Sequence, residues 1–171
     1  MRRILEELQQ RFPDLLFRQA ETFYWAPATG EVFYADTDNV HAGWSLLHET
    51  GHAVLNHQHY LLDIELLQVE VTAWHKAEEL AEQLGLYIDR EHIQDCLDTY
   101  RDWLYARSIC PTCACKGLQQ SDARYYHCFN CSAVWQVSSS RFCRPYRLGV
   151  PPADHVSKMP LHKLSFSHKQ P

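Results

Sequence analysis

Leu46-Leu47-His48-Glu49-Thr50-Gly51-His52-Ala53-Val54-Leu55 sets two imidazoles and a carboxylate inside an otherwise apolar run. A run of that composition must bury one face. In a helix, His48 and His52 stand at i and i+4 on the same face, one turn apart. Two imidazoles so placed reach one Zn²⁺. Glu49, next to the first, projects beside the metal rather than onto it, where it can take a proton from water. The bland alternative makes these solvent-facing polar residues of an ordinary amphipathic helix. The apolar flanks favour the metal reading, with a helix from about Gly43 to Asn56 and a zinc hydrolase as the expected class.

The chain of 171 residues has room for one compact domain and a small module. No apolar run approaches the roughly 18 residues of a membrane span. The opening Met1-Arg2-Arg3-Ile4-Leu5-Glu6-Glu7-Leu8 is too acidic and interrupted for an export signal, so a cytoplasmic protein is expected. Charge is unevenly spread. Residues 1–106 carry 7 Lys/Arg against 19 Asp/Glu, which argues against nucleic-acid binding by that part. Residues 141–171 carry 6 against 1 and allow such contact.

Ile4, Leu5, Leu8 and Phe12 share a stripe, so residues 2–12 read as a helix ended by Pro13-Asp14. Leu15–Arg18, Thr22–Trp25 and Glu31–Ala35 are short runs rich in aromatic and β-branched residues, with a turn at Ala28-Thr29-Gly30. They read as a small antiparallel sheet. After the motif helix, Asp63 suits the N-cap of a second helix ending near Gly85, and Asp89 that of a third running to about Arg107.

Catalytic zinc needs three protein ligands and an open position. His57, five residues past His52, points to a different helical face. His59 returns to that face but lies about 10 Å further along the axis. Gln58 stands where a metzincin has its third histidine. On the second helix, Leu67, Trp74, Ala77, Ala81 and Leu84 follow the helical period, and Glu70 falls among them. A carboxylate on a core-facing stripe is bonded to a neighbouring helix or to metal. Glu70 is the expected third ligand. Glu65, Glu78, Glu79 and Glu82 lie off the stripe and read as solvated.

The run Leu47-His48-Glu49-x-Gly51-His52-Ala53-x-Leu55, followed by Glu70-x-x-Ala73-Trp74, resembles the ImmA/IrrE group of small gluzincin-type zinc peptidases over about residues 20–105. The resemblance implies zinc on His48, His52 and Glu70, with Glu49 as general base. It also implies an α+β minigluzincin-like core and substrates that are often regulatory proteins such as repressors. Trp74 departs from the pattern. The family commonly has Asn or Asp there to brace a ligand histidine, so that contact must come from elsewhere.

Cys110-Pro111-Thr112-Cys113 and Cys128-Phe129-Asn130-Cys131 offer four thiolates from two tight turns, the ligand set of a closed structural Zn²⁺ site. With Tyr125-Tyr126 and Val134-Trp135 around the second pair, they predict a β zinc ribbon. A redox dithiol is the lesser reading. Cys96 reads as a small core residue, and Cys115 as a substitute ligand at a less usual spacing.

The expected organisation is a metallopeptidase-like domain over 1–107, a ribbon over 108–140 and a basic flexible tail over 141–171. The expected function is zinc-dependent endopeptidase action on a repressor-like protein, with one catalytic and one structural zinc. Nucleic-acid contact through ribbon and tail is allowed, and no membrane is involved. Two alternatives stand beside it. One is a SprT-like protease acting on DNA-bound proteins, which would need a third histidine ligand. The other is a non-catalytic zinc-binding adaptor.

Overall fold

The computed structural model describes residues 1–37 and 39–138, together with the backbone of 147–150. It is α+β, in two compact units, Met1–Ala106 and Arg107–Pro171. No described helix is long and apolar enough to cross a membrane.

The first unit opens with α1 (Arg2–Arg11), β1 (Leu16–Ala20), β2 (Tyr24–Ala26) and β3 (Glu31–Ala35). The sheet is mixed rather than antiparallel. Its order is β1-β3-β2, with β1 parallel to β3 and β2 antiparallel to it. The expected turn is present: Ala26 O accepts from Thr29 N and Gly30 N, and Gly30 sits at φ 71. This hairpin carries β3 back into the centre, where Val32 is fully buried, and leaves β2 as an edge. Alternation along three short runs fixes the buried face but not strand order or direction.

Helix α2 (Val40–Val54) begins three residues earlier than its apolar pattern suggests, because Asn39 Oδ1 accepts from Ala42 N at 2.7 Å and caps it. Helix α3 spans Asp63–Gln83 and α4 spans Arg90–Ser108. The N-cap of α3 is Leu62, not Asp63. The Glu65 carboxylate, expected to be merely solvated, accepts from Leu61 N at 2.7 Å and Leu62 N at 3.0 Å. It thereby satisfies donors at the helix start. Asp89 does act at the start of α4, taking the Glu91 N–H at 3.0 Å.

Leu8, Val32, Leu46, Leu47, Trp74, Ala77, Leu80 and Leu97 form the core between these elements. On α3 the buried face is Leu66, Glu70, Ala73, Trp74, Ala77, Leu80 and Ala81, with Leu67 and Leu84 only half-buried. Glu70 is the acid in the middle of that face. Helix α3 approaches α2 closely at Gly51: a Cβ there would lie 2.6 Å from Ala73 O. Glycine is what permits the crossing.

The second unit is an antiparallel sheet in the order β4 (Leu118–Gln119), β5 (Tyr125–His127), β6 (Val134–Val137) and β7 (Arg147–Val150). Tyr126 and Trp135 stack at 5.6 Å above buried Cys110 and Cys128, and Trp135 Nε1 donates to Arg107 O. Strand β7 falls within the stretch expected as a tail. The rest of 141–171 lies outside the described residues, as does Cys143.

Candidate metal centres

Helix α2 presents His48 and His52 one turn apart, and the close crossing brings Glu70 of α3 over both. His48 Nε2 is 3.1 Å from His52 Nε2 and 3.2 Å from Glu70 Oε2, and His52 Nε2 is 3.6 Å from the same oxygen. All three residues are buried. These atoms bear lone pairs that repel unless a proton or cation lies between them. A tetrahedral ion with arms of about 2.0–2.1 Å spaces its ligands by about 3.3 Å, so the donor set fits one zinc-sized ion. Burial raises the Glu70 carboxyl, but the hydrogen bonds and charges of His48 and His52 outweigh it and hold the group at about 2.

Glu49 stands apart from this trio, half-buried, with Oε2 accepting the Trp25 backbone N–H at 2.8 Å. Trp25 belongs to edge strand β2, and its N–H points away from β3. The carboxylate adjacent to the ligands is therefore held against the open edge of the sheet.

The two imidazoles are braced differently. Trp74 stacks on His48 at 4.2 Å between centroids and 27° between planes. His48 Nδ1 is buried and has no hydrogen-bond partner among the described residues. The Trp74 indole packs on this ring and offers it no hydrogen-bond acceptor. A buried donor without an acceptor costs about 1–3 kcal/mol, and ring stacking returns about 0.5–1.5 kcal/mol. His52 Nδ1, by contrast, lies 2.9 Å from His57 Nδ1, and His57 Nε2 lies 3.3 Å from Thr72 Oγ1. Burial first, then the neighbouring His52, hold His57 below the usual histidine value.

The expectation that His57 faces elsewhere is overturned, because it applied helical spacing to a residue that lies past the expected helix end. Helix α2 stops in a Schellman turn: Asn56 is left-handed at φ 51, its N–H bonds Ala53 O, and His57 N bonds His52 O, each at 3.0 Å. This motif brings the residue after Asn56 back onto the third residue from the helix end, which is His52. Asn56 was the readable signal, since Asn is among the few residues that take the left-handed position at low cost.

In the second unit the two knuckles repeat one geometry. Cys110 O accepts from Ala114 N and Cys128 O from Ser132 N, while Cys110 N donates to Cys115 O and Cys128 N to Ala133 O. Ala114 and Ser132 are both left-handed, at φ 60 and 59. Cys110 Sγ is 3.6 Å from Cys131 Sγ and Cys113 Sγ is 3.5 Å from Cys128 Sγ, near the roughly 3.8 Å edge of a tetrahedron with 2.3 Å arms. The Asn130 side chain and the Cys115 N–H pull Cys113 down to about 6. The Ala133 N–H favours the Cys131 thiolate, yet Cys113, burial and the other sulfurs push that group up to about 12.

Both groups, His48–His52–Glu70 and Cys110–Cys113–Cys128–Cys131, bring their ligand atoms within 4.8 Å of one another. No protein family, curated protein or solved structure matches this chain.

Proposed function

We propose that this protein is a zinc-dependent endopeptidase of the small gluzincin kind, with a structural zinc ribbon as its second unit. The observation that supports this best is a buried His48–His52–Glu70 set of three ligand-type side chains, with Glu49 next to His48 in sequence on the same helix and its carboxylate held by the Trp25 N–H. A zinc ion held by His48, His52 and Glu70 would supply Lewis-acid polarisation of a substrate carbonyl and lower the pKa of water. Glu49 takes the proton of the attacking water on Oε1 while the Trp25 N–H steadies Oε2, and it then returns that proton to the leaving amine. Strand β2 lies at the edge of the sheet, with Glu49 bonded to its Trp25 N–H, and an edge strand is where an extended peptide adds as a further strand. Four sulfurs close the ribbon site, so it stabilises its unit and performs no chemistry. A repressor-like substrate rests on the ImmA/IrrE resemblance. The SprT-like alternative is less favoured, because the residue beside both imidazoles is Glu70 rather than a third histidine.

Elemental analysis of protein purified without added metal, beside Glu70→Ala and Glu49→Gln, tests the reading. Two zincs in the wild type, one in Glu70→Ala and two in Glu49→Gln are expected. Cleavage of a protein substrate should fall at least 100-fold in Glu49→Gln. One zinc in all three proteins would move the assignment to the non-catalytic adaptor. Wild-type cleavage by Glu49→Gln would remove Glu49 as the base.

A further inference from the structure

Which ring nitrogen of His52 carries a proton is decided by what its far side meets. For Nε2 to face Glu70 and His48 as a ligand, the proton must reside on Nδ1. An Nδ1–H buried in this helix crossing needs an acceptor, and the atom 2.9 Å away is His57 Nδ1. The direction of every following bond is then fixed. His57 carries its proton on Nε2 and donates to Thr72 Oγ1 at 3.3 Å. The Thr72 hydroxyl donates in turn to Gln68 O or Val69 O, both at 3.0 Å. Each atom has one role, and the relay ends on a backbone carbonyl of α3.

His57 is itself immobilised. Its N–H bonds His52 O at 3.0 Å through the Schellman turn, and its carbonyl accepts the Trp25 indole N–H at 2.8 Å. Two independent backbone anchors, one to α2 and one to the edge strand, set the ring that meets His52. Among the described residues His48 has no equivalent, since Trp74 stacks on its ring and its Nδ1 has no hydrogen-bond partner. The polar bracing of the ligand pair therefore converges on one residue.

We propose that His57 is the positioning residue of the metal centre: it accepts the His52 Nδ1 proton, locks the tautomer that ligates through Nε2, and anchors that ring to α3 through Thr72. This rests on the metal reading of His48, His52 and Glu70. His57 meets the His52 nitrogen that faces away from His48 and Glu70, so its effect would be on affinity rather than on the number of ligands. Loss of such a partner costs 10–100-fold in metal affinity.

Two variants test this on the full chain, with zinc affinity read by chelator competition for the equivalent that Glu70→Ala loses. His57→Phe keeps a ring of similar size and removes both nitrogens. His57→Asn is smaller but puts Oδ1 close to where Nδ1 stood, restoring an acceptor. The expected pattern is a 10–100-fold weaker site in His57→Phe and recovery to within about fivefold of wild type in His57→Asn. Metal-free melting temperatures should rank the other way, with Phe no lower than Asn. A merely structural role predicts Phe as the better replacement in both assays. Equal affinity for the two variants, whether high or low, would overturn the proposal. Were the wild type to lack an equivalent that depends on Glu70, the metal reading itself would fail, and that outcome is visible before either variant is made.

Discussion

Substituting Gly51 by alanine tests the geometric centre of this account. A Cβ at Gly51 would sit 2.6 Å from Ala73 O and 3.4 Å from both Ala73 C and Lys76 Cβ. The closest ordinary carbon–oxygen contact is about 3.3 Å, so α2 and α3 must separate locally by about 0.7 Å. The obstacle is backbone, and no side chain can swing aside. Gly51 adjoins His52, and Ala73 lies one helical turn from Glu70, so the opening acts directly on the ligand set. Metal sites tolerate about 0.2 Å in ligand distance. Overpacking of this kind costs about 1–3 kcal/mol in stability. For a unit near 100 residues that lowers the melting temperature by roughly 4–20 °C. We expect Gly51→Ala to be folded by circular dichroism, to melt lower, and to bind its Glu70-dependent zinc at least tenfold more weakly. The ribbon equivalent serves as an internal control. Wild-type melting together with zinc affinity unchanged within twofold would refute the claim that this crossing sets the site.

Two further outcomes follow from the same structure. Cys131→Ser should release one zinc and abolish slow amide exchange at Tyr126 and Trp135, because structural zinc supplies about 10 kcal/mol or more to such a module; retained protection would mean that the sheet folds without metal. In the metal-free protein, Glu70 is held at about 2, below its ordinary value of 4.5. Its charge thus stabilises the fold above the ordinary value, and that contribution is lost as pH falls through about 2. Melting temperature between about pH 5 and pH 2 should therefore fall more steeply in wild type than in Glu70→Gln, and equal slopes would remove this carboxylate from the acid response.

Much of the site could be read in the chain itself because local spacing carries the information. The i, i+4 histidines need only a helix. The two Cys-x-x-Cys turns each fix a pair of sulfurs within a few residues. Glu70 was legible because an acid on an apolar face is costly and therefore marks a partner. The caps were less legible: Asn39 and Glu65 act through hydrogen bonds whose alternatives, Asp63 among them, look equally suitable in sequence.

What the sequence alone determined is the set of helices, the three strand segments, the hairpin turn and the two groups of ligand-type side chains, since period and turn chemistry are local. Tertiary structure decided how those pieces meet. It placed β3 between β1 and β2, left the Trp25 N–H facing Glu49, and set α3 on α2 closely enough for Glu70 to reach both imidazoles. It also turned the chain at Asn56 so that His57 faces His52. Each of these depends on contacts between residues far apart in the chain, or on one left-handed residue that redirects everything after it, and hydrophobic periodicity is blind to both.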